Sequence, residues 1–212
     1  MLQFSEAVIQ VFCKAPQPGK VKTRLLPELN EFQAAKIHQQ LAELTLAKIF
    51  QSELCDVQLW CTPDASHEFF AECQNRYSLT LKTQSPGDLG FRMNHALTKG
   101  LQNYRQVVLI GTDCPSFVHS DFVTALSALK HGNDVVLAPT EDGGYSLIGL
   151  SAPVPELFSD INWGTSEVLA ATKSKIIKQK LDYYELPLQW DIDYYEDYLR
   201  FLKTEKNLSA VL

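Results

Sequence analysis

Segments in which apolar residues have the period of a strand alternate along the chain with segments in which they have the period of a helix, and this predicts strands and helices in turn. Residues 7–13 are almost continuously apolar and rich in β-branched side chains, which is typical of a buried parallel strand. A capping box of Asn30 with Gln33 predicts the start of a long helix after this strand. The predicted strands are residues 7–13, 56–61, 78–83, 106–110, 134–138, 145–150 and 182–186. The remaining predicted helices open at residues 62–64 and span residues 88–103, 120–131, 165–178 and 194–203.

The order of these elements predicts the fold class. Repeated β-α-β units connect by right-handed crossovers, which gives a mostly parallel sheet with helices on both faces. Residues 145–150 follow residues 134–138 so closely that an antiparallel or short return strand is expected. We therefore predict one α/β domain over residues 1–212, with its ligand outside the carboxyl ends of the strands.

Composition excludes several classes of protein. The net charge of −6 argues against a nucleic-acid partner, and no apolar window is long enough to cross a membrane. The five cysteines form no C-x-x-C pair, and no signal peptide precedes the first strand, so a cytoplasmic protein with reduced thiols is expected. The histidines have no metal-binding spacing. His38 and His131 are predicted on helix surfaces, and His95 is predicted near the pocket. The sequence leaves open whether the chain forms a homodimer.

Positive charge is concentrated in the loop after the first strand. Prolines stiffen this loop, and Gly19 lets its backbone approach a ligand closely. Lys14 and Lys22 supply point charges and Arg24 supplies a forked donor, the combination that binds a polyphosphate. The spacing of a Walker P-loop is absent. A solvated basic turn is the alternative interpretation.

Carboxylates after two other elements suggest a divalent cation. Asp113 follows Thr112 at the end of the most apolar strand, where it could hold Mg²⁺ (or Mn²⁺) bridging phosphate oxygens. Capping of the following turn is the alternative for Asp113. Asp191 or Asp193 could supply a second ligand, although Asp193 also fits an acidic helix start.

Glycine-containing segments are candidates for binding the base. Gln84 can donate and accept hydrogen bonds, and Gly87 exposes backbone groups that could pair with a base edge. Asp88 is either a further nucleotide ligand or the N-cap of the next helix.

Two more segments are candidates for the acceptor substrate. Asp142 could contact the acceptor or a sugar, with Gly143 and Gly144 leaving room for it, unless the three residues only form a tight turn. Trp163 could stack on a ring, and the alternative is a buried tryptophan.

Together these segments resemble a known family. The motifs are K-A-P-x-P-G-x-V-K-T-R-L, Q-x-x-G-D-L-G-x-R-M, G-T-D-C-P, D-G-G-Y-x-L-I-G-L and W-G-T. They are similar to the glycosyltransferase-A-like, radical-SAM/selenodomain-associated transferases of the arsenosugar-biosynthesis type, formerly a domain of unknown function. That family is related to the 2-phospholactate guanylyltransferases and to the nucleotide-diphospho-sugar transferase superfamily. Its end motif, D-V-D-T-P-E-D-L, has lost Thr-Pro in residues 191–198 of this chain, so the carboxylates remain without the rigid helix start.

The resemblance implies a fold, a site and a reaction class. The fold is a glycosyltransferase-A (Rossmann-like) three-layer α/β/α sandwich. The resemblance implies that a metal binds to Asp113 and that the nucleotide phosphates lie near Lys14, Lys22 and Arg24. It also implies that the base lies near Gln84 and Gly87. The expected enzyme transfers a glycosyl group from a nucleotide-sugar to a small acceptor. Nucleotidylyl transfer with release of pyrophosphate is the alternative, favoured locally because residues 111–113 carry one aspartate rather than Asp-x-Asp. A non-catalytic nucleotide-binding protein is the third interpretation.

Overall fold

A twisted seven-stranded sheet is the centre of the computed structural model, which describes residues 1–209 and the side chains of residues 1–204. The strands are β1 (Ala7–Lys14), β2 (Asp56–Thr62), β3 (Thr80–Thr83), β4 (Gln106–Ile110), β5 (Val135–Pro139), β6 (Tyr145–Leu150) and β7 (Tyr183–Glu185). The helices are α1 (Glu31–Ile49), α2 (Glu68–Arg76), α3 (Leu89–Leu101), α4 (His119–Lys130), α5 (Val168–Lys178) and α6 (Tyr195–Ser209). The predicted α/β class with a mostly parallel sheet is confirmed. Residues 210–212 of the predicted domain lie outside the described residues.

Helices cover both faces of the sheet because successive strand side chains point to opposite sides. Ile9 and Val11 pack with the apolar side chains of α1, α2 and α4 on one face. Val8 and Val107 pack with α3 and α5 on the other. The core is therefore two apolar layers separated by the sheet, as the continuous apolar runs predicted.

Strand β6 reverses direction inside the sheet. The strand order is β3-β2-β1-β4-β6-β5-β7, and β6 pairs antiparallel with both β4 and β5. The expected return strand is thus confirmed as antiparallel. Its first residues lie at the edge where β1 and β4 end, because Gly111 N donates to Ser146 O at 3.2 Å. Residues from both sides of this reversal consequently meet at one edge of the sheet.

Four helix starts agree with the sequence to within one residue, and two others shift. Asn30 and Gln33 form both hydrogen bonds of the predicted capping box, each at 3.0 Å. The helix predicted from residues 62–64 begins only at Glu68, after an irregular stretch. The helix predicted from residue 165 begins at Val168, because residues 163–167 form a turn.

Two further expectations concern cysteines and membranes. All five cysteines are free and buried. Within residues 1–209 no helix has the length and hydropathy needed to cross a bilayer.

Candidate active site

A cavity of about 580 Å³ opens at the carboxyl ends of β1 and β4, where the sequence placed the ligand. Strands β1 and β4 are adjacent and parallel, so the loops that follow them begin next to each other. Most of the predicted site residues line this cavity. They are Lys14, Lys22, Arg24, Gln84, Thr112, Asp113, Asp142, Gly144, Trp163, Asp191 and Asp193.

Five predicted residues do not line the cavity, and one of them, His95, packs its ring against Trp60 and Phe91. Gly19 and Gly87 lie in turns with φ angles of 73° and 124°, so their glycine character serves the turn. Asp88 is the N-cap of α3, because its Oδ1 accepts from Phe91 N at 2.8 Å. Gly143 packs against the backbone of Ser166, where an added Cβ would lie 2.2 Å from the carbonyl oxygen.

Lys22 carries a buried positive charge into the cavity. Its side chain is only 5% exposed, and Nζ lies 2.7 Å from Asp113 Oδ1. The same ammonium donates to the carbonyl oxygen of Ile192. The backbone of Lys22 is left-handed, with φ 48° and ψ 40°, just before a short 3₁₀ turn. A non-glycine residue in this conformation is strained and persists where surrounding contacts hold it, most often at functional sites.

Asp113 is held at the end of β4 and stays ionised. Ile192 N donates to its carbonyl oxygen at 3.0 Å, which ties residues 190–193 to this strand end. Burial acts to raise the pKa of the Asp113 carboxyl, but the charges of Lys22 and His38 hold that pKa below its ordinary value. Asp113 therefore offers a carboxylate to the cavity at neutral pH, with a side chain that is 48% exposed.

The two carboxylates near the chain end have different surroundings. Arg24 donates to Asp193 Oδ2, so Asp193 already has a cationic partner. Burial and the nearby charges of Asp193 and Asp142 raise the pKa of Asp191 to about 6. Like charges crowd around Asp191, and a divalent cation would relieve this repulsion.

The donor set fits a cation whose remaining ligands come from water and substrate. Asp113 and Asp191 both line the cavity, and their oxygens are the hard ligands that Mg²⁺ and Mn²⁺ take. Among the described residues, no three His, Cys, Asp or Glu side chains converge closely enough to form a complete metal site. Mg²⁺ is commonly held by one or two carboxylates together with phosphate oxygens, so this arrangement suits a metal that arrives with a nucleotide.

His38 is a cavity residue that the sequence misplaced. The prediction of a surface position was wrong, because its side chain on α1 is buried at 4% exposure. His38 Nε2 is 2.9 Å from Lys14 O, and Nδ1 is 4.0 Å from Asp113 Oδ1. Burial lowers the pKa of His38 below its ordinary value. The apolar spacing of α1 was the available signal, since His38 lies four residues from both Ala34 and Ala42, which are buried on the same face of the helix.

The far wall of the cavity contains the predicted acceptor residues. Asp142 Oδ1 accepts from Thr140 Oγ1 and from Gly144 N, which fixes the carboxylate in its turn. Trp163 is half-buried and packs on Gly90, where an added Cβ would lie 2.5 Å from the indole nitrogen. The open side of Asp142 and the indole ring of Trp163 both border the cavity.

Residues 45–165 match the family described as "Uncharacterized protein conserved in bacteria (DUF2064)". The chain belongs to this family. A protein from Desulfovibrio desulfuricans G20, described as a "putative nucleotide-diphospho-sugar transferase", is 32% identical, with a TM-score of 0.82 over 90% of this chain and 84% of that one. None of the curated protein sequences matches this DUF2064 chain.

More distant structures share the fold. A CMP:2-keto-3-deoxy-manno-octonic acid synthetase complexed with CTP has a TM-score of 0.60 at 10% identity, covering 95% of this chain and 100% of its own. Rv0371C of Mycobacterium tuberculosis H37Rv, solved in complex with manganese, has a TM-score of 0.56 at 15% identity, covering 92% and 98%. These likenesses confirm that the DUF2064 chain has the predicted α/β fold, which it shares with the nucleotide-diphospho-sugar transferase relative.

Proposed function

We propose that this chain is a metal-dependent transferase that binds a nucleotide or nucleotide-sugar, with its diphosphate between the loop after β1 and the end of β4. The observation that carries the proposal is the buried ammonium of Lys22 beside Asp113. A buried ammonium is costly unless it is paired and hydrogen-bonded, and Asp113 and the carbonyl of Ile192 meet that need for Lys22. Here the charge is held at the cavity wall, where a diphosphate could share it.

Each residue has a role in the proposed reaction. Lys22, Lys14 and Arg24 bind the phosphates and offset the charge that develops on the leaving group. Asp113 and Asp191 would hold Mg²⁺ or Mn²⁺, which supplies charge neutralisation at the phosphate oxygens. Asp113 stays charged for this because Lys22 and His38 keep its pKa low.

Glycosyl transfer from a nucleotide-sugar to a small acceptor is the reaction we propose first. The family relative from Desulfovibrio desulfuricans bears a nucleotide-diphospho-sugar transferase name, and the wall of Asp142 and Trp163 is available for an acceptor. Asp142 would orient an acceptor hydroxyl, and Trp163 would pack on its ring. A small acceptor agrees with the resemblance to arsenosugar-type transferases. The five free, buried thiols support the expected cytoplasmic compartment.

Nucleotidylyl transfer is the second candidate, and one observation favours it. Residues 111–113 at the end of β4 carry the single aspartate Asp113 rather than an Asp-x-Asp pair, and Lys22 and Arg24 on the loop after β1 can meet a departing pyrophosphate. In that reaction a phosphorylated small molecule would attack the α-phosphorus of a nucleoside triphosphate. The same cations and carboxylates would stabilise the leaving group.

A ligand screen followed by product analysis tests the proposal. We expect nucleoside diphosphates, triphosphates or nucleotide-sugars to raise the melting temperature with Mg²⁺ or Mn²⁺, and to raise it less in EDTA or in Asp113→Asn. Release of a nucleoside diphosphate from a nucleotide-sugar would identify glycosyl transfer, whereas pyrophosphate release from a triphosphate would identify nucleotidylyl transfer. The absence of any nucleotide effect on the wild-type chain would refute both.

A further inference from the structure

A fourth cationic side chain, Arg92, lines the cavity and has no role in the site described above. Arg92 lies in the first turns of α3, and its side chain is half-buried. Its Nη1 donates to Gln84 Oε1 at 3.2 Å and its Nε donates to Asp88 O at 3.3 Å. Gln84 in turn is 8% exposed and donates from Nε2 to Trp60 O at 2.8 Å. The main chain of β2 therefore positions Gln84, and Gln84 positions the guanidinium.

Arg92 keeps most of its hydrogen-bonding capacity. Of the five N–H groups of a guanidinium, two are used by Gln84 and Asp88, and the others make no hydrogen bond to a described side chain or backbone group. No carboxylate of the described residues forms an ion pair with it. A planar cation held by an amide and a carbonyl, with free donors at a cavity wall, is prepared for a planar ligand with acceptors.

The position of Arg92 suits a nucleobase. Gln84 follows β3 and contacts the end of β2, two to three strands away from β4, which carries Asp113. Strands are spaced about 4.8 Å apart, so the two groups are separated by roughly 10 to 14 Å. This separation is comparable with the distance from the base to the terminal phosphate in an extended nucleoside diphosphate. Phe12, Leu89 and Met93 line the cavity beside Arg92 and offer apolar contacts to a ring.

We propose that Arg92 selects the nucleobase, and that the nucleotide carries guanine or cytosine. The proposal rests on the proposed function, because it assumes that the phosphates lie at Lys22. A guanidinium fork needs two neighbouring acceptors, which guanine presents at O6 and N7 and cytosine presents at O2 and N3. Adenine places its N6 amino donor beside N1 and beside N7, and uracil places N3–H between its two carbonyls. Both would set a donor against a donor of Arg92.

The discrimination is measured with the four nucleoside diphosphates as probes, since both candidate reactions contain this unit. Calorimetric titrations of GDP, CDP, ADP and UDP with Mg²⁺ are expected to show guanine or cytosine bound roughly 5- to 150-fold more tightly than adenine and uracil. Whichever of GDP and CDP binds more tightly identifies the base. In Arg92→Gln we expect the affinity for the favoured diphosphate to fall by that factor, while the affinities for ADP and UDP change less than about twofold.

Two further variants separate base recognition from charge and from folding. Arg92→Lys keeps the positive charge without the planar fork, so it should also lose the base preference. If Arg92→Gln fails to fold, Arg92→Lys serves as the test in its place. Arg105→Gln is the control, because Arg105 is exposed and paired with Glu6 beside the opposite ends of β1 and β4. It should leave all four affinities unchanged.

Three results would overturn the inference. A wild-type preference for ADP or UDP, or no preference, contradicts the acceptor pattern. An equal loss for all four diphosphates in Arg92→Gln shows a general charge effect, with no selection of the base. Failure of every diphosphate and nucleotide-sugar to bind the wild-type chain removes the proposed function itself, and this inference with it. Diphosphate binding without base preference would leave the proposed function standing.

Discussion

Replacing Lys22 by methionine separates a phosphate ligand from a structural counter-ion. Methionine keeps the apolar stem of the side chain and removes only the ammonium, which contacts Asp113 at 2.7 Å and the carbonyl of Ile192. If the ammonium binds a diphosphate, its loss should weaken nucleotide affinity by about 1 to 3 kcal/mol, roughly 5- to 150-fold, as for a charged hydrogen bond.

The stability of the ligand-free chain should also fall. At an effective dielectric constant of 20 the attraction between ions 2.7 Å apart is roughly 6 kcal/mol. Desolvation of the buried ammonium takes back several kcal/mol, and the half-exposed carboxylate of Asp113 is partly screened by water. We therefore expect a net loss of about 1 to 2 kcal/mol in the free energy of unfolding for Lys22→Met, measured by urea denaturation.

The double variant Lys22→Met with Asp113→Asn distinguishes the two roles. Its stability should recover, because the carboxylate left without a partner is gone, but its affinity for a nucleoside diphosphate in EDTA should stay low. Lys99→Met is the matched control, since Lys99 is exposed on α3 away from the cavity. Unchanged affinity in Lys22→Met, or affinity restored by adding Asp113→Asn, would refute the phosphate role.

Substitutions at four other positions test separate parts of the site. Asp191→Asn removes a carboxylate that is repelled by its neighbours, so it should raise the free energy of unfolding of the metal-free chain at pH 8 by about 1 kcal/mol. It also removes a proposed ligand, so Mn²⁺ binding with nucleotide should weaken at least tenfold. Unchanged Mn²⁺ affinity would exclude Asp191 as a ligand. Gly164→Ala should lower the free energy of unfolding by about 1 kcal/mol, since a φ of 82° is strained for alanine but the space around the new Cβ is open. Gly143→Ala should cost about 1 to 3 kcal/mol more, because its Cβ would lie 2.2 Å from the Ser166 carbonyl oxygen. Equal losses of stability in thermal denaturation would contradict this difference. His38→Ala should leave Lys14 O with only the weak Cys13 Sγ donor and lower the free energy of unfolding by about 1 to 3 kcal/mol, whereas His38→Gln should restore part of it. No loss in either variant would show that this contact is unimportant.

Local sequence determined the elements and the positions of the loops. The apolar runs of β1 and β4 and the cap at Asn30 depend on residues a few positions apart, so period and capping chemistry identify them. Because the carboxyl ends of adjacent parallel strands meet at one edge, the same reasoning placed Lys22 and Asp113 together. The helix starts near residues 62 and 165 were misjudged because irregular backbone there carries no periodic signal.

Only the tertiary structure decided which side chains share the site. Our proposal of Asp191 rather than Asp193 as a metal ligand depends on the hydrogen bond of Ile192 to Asp113 and on the position of Arg24, which are contacts between segments far apart in the chain. His38 and Arg92 became cavity residues because the packing of α1 and α3 on the sheet directs them there. A sequence fixes the chemistry of each side chain and its local conformation, but distances across the fold arise from packing of the whole core.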